Sequence, residues 1–459
     1  MKKVFSFFVA MCMMLSATVA QISVWDGSNT AWTNGNGTST NPYLIETAAQ
    51  LAHLAVYVNS GTDAIVGVDK YWKLTTNIDL NSLQWTPIGF YISSYDCSSF
   101  GGHFDGNEHT VANLVINEQQ AGLFGAMNGG SVKNIGVVGS SSIAGKYAGG
   151  IVGYAMGTLT LDNCYNTGTV SAIENANATS YIGGLAGQIS SGVFTIKNCY
   201  NTGTLTADVH YLSHTGGIVG YADMCDVTIQ NCYNTGAVYS YFSHGGIVGG
   251  INSCNNAVIN NCYNTAPISV IPNEVTYSEG GIVGNVYPAV TINNCYNTGM
   301  LSAPDAGGIV GEGNSDDVHN SYYLNTSASN AGGGVAKSAT EMKTQGFVDL
   351  LNSGPAPNNA YTRDLVPVND GYPILKREAG EVGIAENVLS NISVYPNPTR
   401  GQLTITTEHL SDYCIYNITG QVILQGKLQN ETTNINVESL PTGIYCLQIG
   451  DRTVKFLKQ

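Results

Sequence analysis

From residue 100 to residue 330 the apolar positions fall in short bursts separated by glycine and asparagine. One burst is GGIVG or a close variant, beginning at Gly149, Gly183, Gly216, Gly245, Gly280 and Gly307, with AGLFG at Ala121 as a weaker forerunner. A second burst alternates apolar and polar residues, as at Val227 and Ile229 or Val290 and Ile292, and runs into NCYNTG. That hexapeptide stands at Asn163–Gly168, Asn198–Gly203, Asn231–Gly236 and Asn294–Gly299, with NCYNTA at Asn261–Ala266 and a degenerate NSYYLN at Asn320–Asn325. Runs this short, rich in β-branched residues and bounded by Gly and Asn, are strands, and no helical period interrupts them.

The repeated cysteines Cys164, Cys199, Cys232, Cys262 and Cys295 lie 35, 33, 30 and 33 residues apart, too far for a hairpin unit. A parallel β-helix fits: each repeat is one coil, coils stack about 4.8 Å apart through backbone hydrogen bonds, and like residues lie above like. Cysteine, a small hydrophobe, then fills an interior column. Ile229 and Cys232 are an odd step apart, so both face inward only if the chain turns a corner at Gln230–Asn231, where Asn accepts the left-handed conformation. The glycines of GGIVG allow tight corners or close approach of neighbouring coils. From the last Gly of that motif to the Asn before Cys, successive repeats count 10, 11, 11, 12 and 10 residues. From the end of NCYNTG to the next GG they count 15, 13, 9, 14 and 8. One half of each coil is fixed and the other varies, and in a solenoid the variable side is often the binding side.

The flanks carry different patterns. Residues 21–99 open with turn chemistry, then place apolar residues at helical spacing from about Ala48 to Val58, with Thr47 as N-cap, and follow with a strand in YWKLTTNIDLN. Helix and strand would cover the apolar end of the stack. FDGNEHTVANLVI predicts a turn at Asp105–Gly106 and a bend near Asn113. Residues 331–375 leave the repeat, predict a short helix around Thr340–Leu351, and should cap the far end. Residues 376–391 lack a period and read as a linker. From 392 to 459, alternating strands between closely spaced turns predict a small antiparallel β-sandwich. The fold class is therefore all-β: a parallel β-helix over 100–330 with short helical caps, followed by that sandwich.

Composition adds an address. Residues 1–20 have the basic start, short apolar run and small-residue end of a secretory signal peptide. No other stretch is long and apolar enough to span a bilayer as a helix. The net charge of −15 disfavours nucleic acid as a partner. Export would permit disulfides, with Cys225–Cys254 on adjacent coils and Cys414–Cys446 in the sandwich as candidates against free buried thiols. No Cys/His spacing predicts a metal, and no cofactor is expected.

The motifs FDGNEHTVANLVI, AGLFG, GGIVG and NCYNTG, with FVDLLNSG and GYPIL beyond them, resemble the GLUG-motif repeat proteins, bacterial surface proteins expected to form parallel β-helices. GLUG repeats also accompany IgA-cleaving metallopeptidases, but no HExxH occurs here, so no zinc-protease site carries over. Residues 392–459 resemble the type IX secretion sorting domain of Bacteroidetes-type bacteria, through VYPNPT at Val394–Thr399, YNITGQ at Tyr416–Gln421, LPTGIY at Leu440–Tyr445 and KFLK at Lys455–Lys458. The motif positions are Pro396, Asn397, Pro398, Gly401, Gly420, Pro441, Gly443, Tyr445 and Lys455. The resemblance implies an address read by the type IX secretion machinery and delivery to the cell surface or the extracellular space, with clipping in the linker.

No catalytic constellation is recognisable. All four arginines lie outside the array, and Lys133, Lys146 and Lys197 are its only lysines, which disfavours a lyase. Asp316–Asp317 is the one adjacent acidic pair in the array, where a glycosidase needs carboxylates converging on one sugar. The variable loops are instead rich in rings: Tyr181, His210, Tyr211, His214, Tyr239, Tyr241, Phe242, His244 and Tyr277. Rings carrying hydroxyl and imidazole groups suit glycan or protein contact. The expectation is an adhesin-like, non-enzymatic surface protein, with a β-helix carbohydrate-active enzyme as the alternative.

Overall fold

The computed structural model describes residues 22–458 apart from 62–63, 94, 174–178, 208–211, 271–277, 357–358, 365–367, 377–392, 396–398, 407–411, 418–421, 429, 431, 442 and 450–451. Two units result, Met1–Lys376 and Arg377–Gln459. The expected leader at 1–20, and the expected linker at 376–391 except for Lys376, lie outside the described residues.

The first unit is a parallel β-solenoid whose coils stack into three parallel sheets. One coil shows the plan. Val219–Asp223, Asp226–Gln230 and Tyr233–Asn234 belong to a large sheet, Val238–Ser240 to a second and Ser243–Gly245 to a third. The next coil repeats this in register: Val219 opposite Val248, Val227 opposite Ala257, Tyr233 opposite Tyr263, Val238 opposite Ile268.

The sequence explains the corners. Asn163, Asn198, Asn231, Asn261, Asn294 and Asn320 all have positive φ, from 47° to 57°. Their side chains also link coil to coil, as in Asn261 Nδ2 to Asn231 Oδ1 (3.2 Å) and Asn294 Nδ2 to Asn261 Oδ1 (3.0 Å). Inside, the five repeat cysteines are fully buried in one file: the Cys164 N–H donates to Cys199 Sγ and that of Cys262 to Cys295 Sγ, both at 3.4 Å. Ser321 replaces cysteine in the last coil and accepts from the Cys295 N–H. Beside the file runs a second one, Asn166, Asn201, Asn234, Asn264 and Asn297, each fully buried and each amide bonded to the next coil's asparagine or to Ser327. Outward, the intervening tyrosines stack face to face: Tyr165, Tyr200, Tyr233, Tyr263 and Tyr296, with centroids 4.7–5.0 Å apart.

The ladder begins well before residue 100. Ile22–Val24, Tyr43–Ile45, Tyr71–Leu74 and Asn77–Asp79 are parallel strands of the same large sheet. Their repeat motifs are absent, so the sequence pattern hid them. Helix α1 (Ala48–Asn59) turns Leu51, Leu54, Ala55 and Val58 into the core, and Thr47 Oγ1 accepts from the Gln50 N–H. The expected turn at Asp105–Gly106 is instead a kink inside one strand, His103–Ala112, with left-handed Asn107 and Glu108. The bend near Asn113 is present, at φ 57°.

At the far end the expected helix is two. Helix α2 (Ala339–Met342) starts at a capping box of Ser338 and Glu341, and α3 (Gln345–Asn352) starts at Thr344, whose hydroxyl accepts from the Phe347 N–H. This second cap splits the apolar run. Phe347, Leu351 and Tyr361 pack on Tyr263, Tyr296 and Tyr322, and the Tyr361 hydroxyl donates to Asn294 O (2.8 Å).

The second unit has a three-stranded antiparallel sheet (Ser393–Tyr395, Gln402–Thr406, Thr432–Asn436) and a four-stranded one (Asp412–Asn417, Val422–Lys427, Gly443–Ile449, Arg452–Lys458) around Leu403, Ile405, Ile415, Leu447 and Phe456.

Candidate functional site

The second Gly of each GGIVG lies so close to its neighbours that a Cβ would collide. At Gly217 it would stand 2.0 Å from Gly246 O and 2.5 Å from the Asn234 Cβ. At Gly220, the motif's last residue, it would stand 2.6 Å from the Ile182 N. Only glycine fits at these two positions, where the chain passes from the third sheet into the large sheet against the neighbouring coils. The residues flanking the corner on its outer side are thereby brought face to face.

Two columns meet there. Tyr147, Tyr181 and His214 are in register on the third sheet, each two residues before GG. Tyr154, Gln188 and Tyr221 are in register on the large sheet, each directly after the motif's last glycine. Tyr147 stacks on Tyr181 at 5.4 Å and Tyr181 on His214 at 5.7 Å. Across the corner Tyr147 meets Tyr154 at 5.4 Å, Tyr181 meets Tyr221 at 5.0 Å and His214 meets Tyr221 at 4.4 Å. Tyr91 extends the cluster from Tyr154, and Phe242 closes it edge-on to His214. At Gly250 a Cβ would stand 2.7 Å from His214 Nδ1, so this glycine lets the imidazole lean into the corner.

The cluster is weakly charged. Lys146 Nζ lies 5.0 Å from the Tyr147 centroid. Burial, with Asp223 adding to it, pushes the Tyr154, Tyr181 and Tyr221 hydroxyls above the ordinary phenol value, so they stay neutral donors. Burial pulls His214 down to about 4, leaving a neutral imidazole whose Nδ1 has no partner among the described residues. A half-buried row of neutral hydroxyl-bearing rings can contact an extended ligand by apolar area and single hydrogen bonds.

Of the ring residues singled out from sequence, Tyr181, His214 and Phe242 belong to this cluster. Tyr239 is exposed on the second sheet, opposite Thr206 and Ser269. His244 and Tyr241 are corrections. His244 is fully buried and faces the solenoid interior between Thr215 and Glu279 in the ladder, because it sits one residue after the outward column of Tyr181 and His214. Tyr241 is buried as well. His210, Tyr211 and Tyr277 lie outside the described residues, as do Pro396, Asn397, Pro398 and Gly420 and the side chain of Lys455. Tyr91, Tyr147, Tyr154 and Tyr221 were missed. Three of the four stand at fixed offsets from GGIVG, and that offset was the available signal. Among the described residues no group of three metal-ligating side chains converges.

In the second unit Tyr445 donates its hydroxyl to Pro441 O (2.9 Å) and stacks on Phe456, fixing the LPTGIY turn; Gly443 begins that strand, and the Gly401 carbonyl accepts from the Val437 N–H. Cys414 faces Gln448 and Cys446 faces Tyr416, and both thiols are free.

Residues 393–459 match the family model of the secretion system C-terminal sorting domain. Residues 144–171 and 178–206 match that of the GLUG motif. The chain thus carries GLUG repeats on a β-solenoid and a type IX sorting domain, which marks it for export to the cell surface or the extracellular space. It is 32% identical over 123 residues to a protein of Evansella cellulosilytica named as a Gly-rich membrane protein, covering 26% of this chain. It is 30% identical over 166 residues to halomucin of Haloquadratum walsbyi, covering 35% of this chain. The matches span only 13% and 2% of those relatives' own lengths. A crystal structure named for an immunoglobulin A1 protease of Bacteroides ovatus aligns over 75% of this chain and 95% of its own, at 21% identity and a TM-score of 0.44. A likeness at that level says nothing of what this chain does.

Proposed function

We propose that this is a surface-displayed, non-enzymatic binding protein that engages a glycan or protein ligand along the aromatic corner. In this reading residues 1–20 direct it through the inner membrane and residues 392–459 hand it to the type IX machinery. One observation carries the proposal: rings from two sheets converge across a corner that successive coils keep in register, with Tyr147, Tyr181 and His214 on one side and Tyr154 and Tyr221 on the other. Core packing does not require rings on the outer side of a solenoid. The test is a glycan array probed with the full chain, beside the double variant Tyr181→Ser/Tyr221→Ser. Binding by the parent that drops at least tenfold in the variant supports the reading. Equal binding by both removes the corner from the account, and no binding to any glycan removes the glycan ligand.

A carbohydrate-active enzyme is the second reading, favoured by one feature. Glu279 and Asp305 line a single cavity of about 180 Å³, and burial pushes the Glu279 carboxyl up to about 7, a value suited to a general acid. Against it, both Glu279 oxygens already accept backbone N–H groups, from Ser302 at 2.8 Å and Ala303 at 2.6 Å, which reads as a loop clamp. Polysaccharide cleavage by the parent that Glu279→Gln abolishes would establish the enzyme.

A further inference from the structure

Cys225 and Cys254 stand apart from the file of five repeat cysteines. Each follows a left-handed residue, Met224 (φ 49°) and Ser253 (φ 52°), at the turn between two strands of the large sheet. The surrounding strands hold the two turns one above the other, with Asp223 opposite Asn252 and Asp226 opposite Asn256. The Sγ atoms are 3.4 Å apart. Both side chains are almost fully buried, and each lies between two strands of the large sheet. Adjacent in-register coils place Cα atoms within the range a disulfide spans.

We propose that Cys225 and Cys254 are an oxidative modification site and become a disulfide between neighbouring coils once the chain has left the cytoplasm. The oxidant is a protein disulfide of the exporting compartment. The thiolate of one of the pair attacks one sulfur of that disulfide, forming a mixed disulfide and releasing the oxidant's other sulfur as a thiolate. The thiolate of the other then attacks that cysteine's sulfur and displaces the oxidant's remaining thiolate. Two cysteine thiols are oxidised, the oxidant is reduced to a dithiol, and the two protons leave with its released thiolates. Burial places the reaction during folding, before the coils close.

The five cysteines of the file are arranged differently. Each thiol donates to backbone carbonyls, as Cys199 does to Lys197 O at 3.0 Å and Cys232 to Gln230 O at 3.2 Å, and the sulfurs of Cys199 and Cys295 also accept the backbone N–H of the cysteine one coil before. They stay thiols. The bridge closes a span of 29 residues and pins the coil carrying Tyr221 to the coil carrying Gly250, beneath the aromatic corner.

The test uses the full chain recovered from an exporting, oxidising compartment, denatured with iodoacetamide and digested without reductant. The expected result is one linked peptide pair containing Cys225 and Cys254, lighter by two hydrogens than the sum of its parts, with Cys199, Cys232 and Cys262 alkylated. Reduction of the intact protein should lower its melting midpoint by roughly 3–5 °C, and Cys225→Ala should abolish that shift. Complete alkylation of Cys225 and Cys254 before reduction would overturn the proposal. So would a cross-link that joins either of them to a cysteine of the file.

Discussion

Replacing Asn234 by alanine removes one rung from the buried asparagine file and tests what holds the coils in register. The Asn234 side chain makes four hydrogen bonds: Nδ2 donates to Gly236 O and Asn264 Oδ1, both at 2.9 Å, and Oδ1 accepts from Asn201 Nδ2 at 2.9 Å and from the Gly236 N–H at 3.2 Å. No part of it reaches solvent. Truncation therefore strands two donors and two acceptors in a dry interior. At about 1 kcal/mol for each buried bond lost, the destabilisation is about 4 kcal/mol. A water molecule in the vacated space would find those same four partners and reduce the loss to about 2 kcal/mol. The neighbouring Thr235→Ala, at an exposed position, should cost less than about 0.5 kcal/mol and serves as control. Denaturant unfolding followed by tyrosine fluorescence measures the difference. Because a solenoid transmits strain chiefly to adjacent coils, hydrogen exchange should accelerate at Thr202–Gly203 and Thr265–Ala266 before it does so elsewhere. A loss below about 1 kcal/mol, or exchange that rises uniformly along the array, would refute the role given to the file.

Gly217→Ala should be at least as damaging as Asn234→Ala, since its Cβ would stand 2.0 Å from Gly246 O and 2.5 Å from the Asn234 Cβ, two groups that cannot swing away; far-ultraviolet circular dichroism and melting decide it. His244 is fully buried, neither ring nitrogen has a partner among the described residues, and burial pulls it down to about 3. A depressed histidine stabilises the fold above pH 6.5 and loses that contribution as pH falls toward 3, so His244→Phe should flatten the acid limb of a stability profile. Glu279 acts in the opposite sense: raised to about 7, it loses stability as pH rises from 4.5 through 7. Deleting residues 392–459 should keep the protein inside the outer membrane, seen by protease accessibility on whole cells, and continued arrival at the surface would contradict the assignment of that domain.

What the sequence made legible was the part built from repetition. A motif recurring at near-constant spacing has one economical solution, which gave left-handed Asn231 and inward Cys232; the stacking of Tyr233 and the hydrogen bonds of Asn234 emerge only from the structure. The second left-handed position of the coil was invisible, because Gly157, Ser191, Met224 and Ser253 share a backbone conformation and no chemistry. The early coils were hidden for a related reason. Tyr43–Ile45 and Asn77–Asp79 pair in the same ladder without carrying the motif. The candidate site was half legible. Counting aromatic residues in variable loops found Tyr181 and His214, but the corner also draws on Tyr154 and Tyr221 from the constant half of the coil. His244 was misplaced because alternation along a strand, rather than loop membership, decides which way a side chain points. The split of the C-terminal cap into α2 and α3 turned on one hydroxyl, that of Thr344, whose capping bond a helical period does not reveal.

The most direct test of the architecture is a sulfur anomalous difference map from crystals of the full chain. In-register coils predict that the sulfurs of Cys164, Cys199, Cys232, Cys262 and Cys295 form one straight file with a spacing of about 4.8 Å, the rise of a single coil. Five peaks without common direction or spacing would contradict the register on which the buried asparagines, the stacked tyrosines and the aromatic corner all rest.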